Sequence, residues 1–72
     1  MSGGDELVVM ELTGSLYHVM AEYELSESYY AKAVALRPSM HLLYGQAKNL
    51  YFLAQHDRSL ETLNRLLELY PY

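Results

Sequence analysis

The feature that most constrains this chain is that it repeats itself. Displaced by 33 residues, Ser26 falls on Ser59, Ala21 on Ala54, Leu36 on Leu69 and Pro38 on Pro71. Gly14 falls on Ala47 and Glu24 on Asp57, so small or acidic character is kept where identity is not. A period of this size marks stacked supersecondary units, each unable to bury its apolar face alone. At 72 residues the chain spans two such units.

Helical spacing fills both units. Apolar residues recur at Leu7, Met10, Tyr17 and Ala21, with Gly14 among them. Val8, Leu12, Leu16, Val19 and Met20 are apolar as well, so this first helix is apolar on more than one face. Asp5 can accept the free amides of its first turn, and residues 1–6, with Gly3 and Gly4, read as a flexible leader. Residues 22–25 break the pattern as a turn. A second helix is expected over 26–37, with Tyr30, Ala33 and Val34 along one side, and Pro38 stops it. Ser39 caps a third helix over 40–54, which carries Leu43, Ala47, Leu50 and Leu53. Gln55 and His56 make the next turn, and Asp57 caps a fourth helix that Pro71 ends. No alternating run sits between turn signals, so no strand is expected. The expected architecture is all-α: a leader over 1–6 and two antiparallel helical hairpins, over 7–38 and 39–72.

The spacing has a packing logic. A small residue mid-helix (Gly14, Ala47) lets the partner helix approach, and Tyr17, three residues after Gly14, fills the space beside it. A small residue opening the second helix (Ser26, Ser59) avoids a clash where the helices cross. The first unit reads Met10-x-x-Thr13-Gly14-x-x-Tyr17, Ser26-x-x-x-Tyr30-x-x-Ala33, then Pro38. The second reads Leu43-x-x-Gln46-Ala47-x-x-Leu50, Ser59-x-x-x-Leu63-x-x-Leu66, then Pro71. Over residues 7–71 this resembles the tetratricopeptide repeat (TPR) family. Thr13 and Gln46 stand where that family favours leucine, and Leu66 where it favours a small residue.

The resemblance implies a stacked α-solenoid fragment acting as a protein–protein interaction module. Its first helices would line a concave groove, placing Val8, Glu11, Ser15 and His18, then His41, Tyr44, Lys48 and Tyr51, against a partner peptide or helix. A tyrosine gives rigid apolar area with a polar tip, which suits Tyr44 and Tyr51 to an interface; Tyr17 and Tyr30 read as core. Lys48 and Asn49 alone cannot make the carboxylate clamp by which some family members hold chaperone tails. Small acidic TPR-like proteins also serve as adaptors and as chaperones of secretion systems, a sharper form of the same expectation.

Composition narrows the remaining classes. Apolar residues make up 51% and charged residues 19%, too apolar for a disordered tail. Five Lys+Arg against nine Asp+Glu give a net charge of −4, and no basic recognition helix is present, so nucleic acid is not an expected partner. No run approaches the roughly 18 apolar residues of a membrane span, and the first residues lack the basic start of a signal peptide. A cytoplasmic domain is expected, without membrane, cofactor or small-molecule substrate. There is no cysteine, and His18, His41 and His56 lack metal-ligand spacing. Glu11, Ser15, His18 and Glu22 share a helix face, but two hairpins offer no pocket or oxyanion hole for catalysis, so no enzyme is expected.

The fourth helix carries more leucine than one neighbouring helix can cover, notably Leu60, Leu63 and Leu67. Burying three such side chains is worth several kcal/mol at roughly 1.5–3 kcal/mol each. Self-association, or docking on a partner, through this end surface is the alternative expectation to groove binding.

Overall fold

The computed structural model describes residues 3–71; Met1, Ser2 and Tyr72 lie outside them. Four helices follow in order: α1 (Gly3–Val19), α2 (Tyr23–Leu36), α3 (Met40–Phe52) and α4 (His56–Leu69). No strand occurs among the described residues. α1 packs along α2 and α3 along α4, forming the two hairpins, and the hairpins meet through α2 and α3. The Cα envelope is a flat slab of 36 × 30 × 16 Å.

Both hairpins turn by the same device. Ala21 and Ala54 take left-handed backbone conformations, with φ of 61° and 62°. The Glu22 N–H donates to the Tyr17 carbonyl at 2.8 Å and the Ala21 N–H to that of His18 at 3.0 Å. The second turn repeats this, from Gln55 to Leu50 at 2.9 Å and from Ala54 to Tyr51 at 3.0 Å. These paired bonds are a Schellman closure, which satisfies carbonyls that the helix end leaves free.

This closure corrects several boundaries read from the sequence. The turn is complete by residue 22, so α2 begins at Tyr23, not at Ser26. α3 stops at Phe52 because Leu53 and Ala54 belong to the turn. α4 opens at His56 after Gln55, so Asp57 does not cap it but lies in its first turn, where a negative charge complements the helix dipole. The expected leader is corrected too. Residues 3–6 are the start of α1, and Asp5 and Glu6 lie in its acidic first turn.

Pro38 interrupts the helices as expected. Arg37 before it is extended, at φ −161° and ψ 105°. Ser39 then caps α3, its hydroxyl oxygen accepting the Leu42 N–H at 3.2 Å.

The core lies between the hairpins: Tyr30, Ala33 and Val34 from α2 with Leu42 and Leu43 from α3, flanked by Leu7, Met10, Leu66 and Tyr70. The ring of Tyr30 is wedged between two glycines. A Cβ on Gly14 of α1 would lie 3.4 Å from this ring, and one on Gly45 of α3 only 2.7 Å from it. The close approach expected at Gly14 is therefore present, but Tyr30 fills the space. Tyr17 is half-buried and stacks on Tyr29, with ring centroids 5.7 Å apart. Ser26 and Ser59 are the small residues at the two crossings. The Ser26 hydroxyl donates to the Gly14 carbonyl at 2.6 Å, and that of Ser59 to the Ala47 carbonyl at 2.8 Å. The repeat is thus also a repeat of buried hydrogen bonds.

Candidate functional site

A buried polar chain fixes α3 against the first hairpin. Gly14 O can only accept, so the Ser26 hydroxyl donates to it and must accept elsewhere. It accepts from Asn49 Nδ2 at 2.8 Å. That orients the amide, so Asn49 Oδ1 faces His18 Nδ1 at 2.7 Å and accepts its N–H. The chain leaves α1, crosses α2 and α3, and returns to α1. Ser26 and Asn49 are fully buried, so the bonds joining Gly14, Ser26 and Asn49 are made away from water, while the one to His18 is partly buried.

His18 is also part of an aromatic cluster at the hairpin turns. It meets Tyr23 edge-on at 5.3 Å and Phe52 at 5.8 Å, while Tyr23 and Phe52 stack at 4.8 Å. In the second hairpin Tyr51 meets His56 edge-on, also at 5.3 Å. His18 and Tyr23 correspond to Tyr51 and His56 in the repeat, so the two hairpins make the same edge contact with the ring types exchanged.

The outer face of α3 carries the four candidates of the second unit. His41 and Tyr44, with Met40 and Leu66, line an open cavity of about 280 Å³. Tyr44, Lys48 and Tyr51, with Ala47, Ser59 and Leu63, line a neighbouring one of about 190 Å³. Lys48 lies over the Tyr44 ring, its Nζ 4.9 Å from the centroid, a cation–π arrangement that holds both side chains.

The first unit's candidates are placed differently. Val8 is exposed on α1 and lines neither cavity. Glu11 and Ser15 lie close to the Tyr30 hydroxyl. Burial pushes the Tyr30 phenol above its ordinary pKa of 10.0; a hydrogen bond with Ser15 opposes this, and the Glu11 carboxylate adds to it. His18 is tied to Asn49. Leu60, Leu63 and Leu67 are exposed along α4, and Leu63 also lines the smaller cavity. Among the described residues no three His, Asp or Glu side chains gather to hold a metal ion.

Sequence reasoning did not find the Ser26–Asn49–His18 chain or the aromatic cluster. The full 33-residue alignment held a signal for the cluster, since it sets a histidine–tyrosine pair on a tyrosine–histidine pair. It held none for Asn49, whose counterpart is Leu16.

Comparison of the chain with protein-family models, with curated proteins and with solved structures finds no match. No described helix is long and apolar enough to cross a membrane.

Proposed function

We propose that the chain is a protein–protein interaction module of tetratricopeptide type, in which α3 offers a tyrosine-lined face to an apolar partner segment. The observation that carries this reading is the pair Tyr44 and Tyr51, 54 and 58% exposed, on either side of Lys48 above an apolar floor of Ala47 and Leu63. Large aromatic side chains held in solvent over a cavity are the anchors that interfaces use. Lys48, already seated on Tyr44, is placed to meet an acidic group of the partner. The buried polar chain through Asn49 holds α3 rigidly, which lowers the ordering cost of binding. The repeat pattern and the acidic balance suit an adaptor, or a chaperone for an aggregation-prone helical client.

The test is to select displayed helical peptides on the purified chain and measure them against Tyr44→Ser/Tyr51→Ser. Both tyrosines are exposed, so the variant keeps its fold. The selected peptides are expected to lose at least tenfold in affinity, about 1.4 kcal/mol. Equal binding to the variant, or no selectable peptide, overturns the reading.

A further inference from the structure

The two hairpins meet through one interface, and both of its sides recur, uncovered, on the outer helices. On the α2 side the interface holds Tyr30 and Val34; on the α3 side it holds Leu42, Gly45 and Asn49. The 33-residue shift carries Tyr30 and Val34 onto Leu63 and Leu67 of α4. It carries Leu42, Gly45 and Asn49 back onto Val9, Leu12 and Leu16 of α1. The inner set is buried, but the outer set is open. Val9, Leu12 and Leu16 are 59, 64 and 59% exposed, and Leu60, Leu63 and Leu67 are 59, 36 and 56% exposed. Each open set follows three- and four-residue steps, so each is one stripe on its helix.

We propose that these stripes dock on each other between copies of this chain, α4 of one copy packing on α1 of the next as α2 packs on α3 within the chain. Leu63 takes the place of Tyr30, and Leu12 of the next copy takes the place of Gly45. Val34 and Leu42, which share the core, become Leu67 and Val9: the same two residue types with their places exchanged. Asn49 becomes Leu16, so the contact between copies is apolar where the internal one holds an amide. A second copy is the occupant because both halves of the joint are on one chain, in the register of an interface that the chain already makes. The contact is heterologous. Each docking event leaves one α4 stripe and one α1 stripe free, so copies add in a row rather than stopping at a symmetric dimer. Leu63 also floors the groove, so a docked copy lies over part of the α3 face. The proposal goes beyond the groove reading in committing to a second copy, and Leu12 and Leu67 line neither cavity.

The test is sedimentation velocity over a wide micromolar range. The average mass of the unaltered chain is expected to rise with concentration without a plateau at the dimer. Leu12→Glu and Leu67→Glu each spoil one stripe at a position more than half exposed, so each is expected to be folded and monomeric. Mixed in equal amounts they are expected to form a 1:1 heterodimer and nothing larger, since each keeps the stripe that the other lacks. An unaltered chain that stays monomeric, either variant forming a homodimer alone, or a monomeric mixture overturns the proposal. Should a variant lose its helical circular dichroism, the cysteine-free chain allows a second route. Val9→Cys and Leu67→Cys chains should be joined by a short bismaleimide when mixed, and neither to itself. Self-linking without mixed linking refutes the pairing. Peptide binding to the α3 face, measured on Leu12→Glu/Leu67→Glu, lets the two readings fail separately.

Discussion

Gly14 and Gly45 flank the same ring, yet they are expected to respond to alanine in opposite directions. A glycine in a helix interior is about 0.5–1 kcal/mol less favourable than alanine, because it has more backbone freedom to lose on folding. At Gly14 a methyl group would meet Ser26 O and two ring carbons of Tyr30 at 3.4 Å, an ordinary contact. The corresponding Ala47 already carries that methyl beside the same serine bond. Gly14→Ala should therefore stabilise the chain by about 0.5–1 kcal/mol. At Gly45 the methyl would lie 2.7 Å from Tyr30 Cζ and 3.0 Å from both Cε atoms. The ring is only 8% exposed and is held among the core side chains, so relieving the contact means unseating it from the core. Overpacking costs about 1–3 kcal/mol, whose central value outweighs the helix-propensity gain and leaves a net loss of about 1 kcal/mol. For a chain of this length each kcal/mol moves Tm by about 4–8 °C, well within reach of thermal melts followed by circular dichroism. The melts are best run in the Leu12→Glu background, which removes the proposed self-association. In a Tyr30→Leu background, with the residue type found at position 63, the Gly45→Ala penalty should shrink towards zero. A Gly45→Ala that stabilises as Gly14→Ala does, or an unchanged penalty without the ring, would refute the wedge.

The remaining expectations rest on separate features. Ala21→Gly and Ala54→Gly each relieve a left-handed alanine, and each should raise stability by about 0.5–1 kcal/mol, additively, in the same melts. A loss at either turn would refute the Schellman geometry. Ser26→Ala leaves the Gly14 carbonyl and the Asn49 amide short of a partner and should cost about 2–3 kcal/mol, whereas Ser59→Ala removes one bond and should cost about 1 kcal/mol. Urea titrations of the two variants compare these losses directly, and equal losses would show that Asn49 adds nothing. Stability should fall as pH rises past 10.0. In that range the unfolded Tyr30 phenol ionises before the native one, the unfolded state binds fewer protons, and the slope is negative. Tyr30→Phe should flatten this decline in alkaline urea titrations, and an unchanged slope would remove burial of Tyr30 as its cause.

The four helices were legible because their signals act within a turn or two. Pro38 stops a helix wherever it stands, and the Ser39 hydroxyl reaches an amide three residues away. The hairpin turns were placed less well. Alanine at positions 21 and 54 carries no glycine signal for a left-handed cap, so the boundaries at Tyr23 and His56 were missed by a few residues. Of the candidate surface, Tyr44, Lys48 and Tyr51 were expected there from the family resemblance, whereas Met40 was read only as a helix residue and Leu66 only as a departure from the repeat pattern, and both shape the larger cavity.

Some features depend on nothing beyond the chain's own pattern: four helices, two like hairpins, and the serine at each crossing. Others were decided only when the helices met. Tyr30, not Tyr17, sits between the glycines, because that gap is formed by α1 and α3 together. His18, read as a groove residue, is tied to Asn49 from a helix that lies beyond a second turn. The clearest case is Leu42 and Val9. Both are apolar residues at the same place in the repeat, yet one is 1% exposed and the other 59%. Local sequence sets which stripe of a helix is apolar. Whether that stripe is buried depends on another helix lying against it, and no residue within the stripe encodes that.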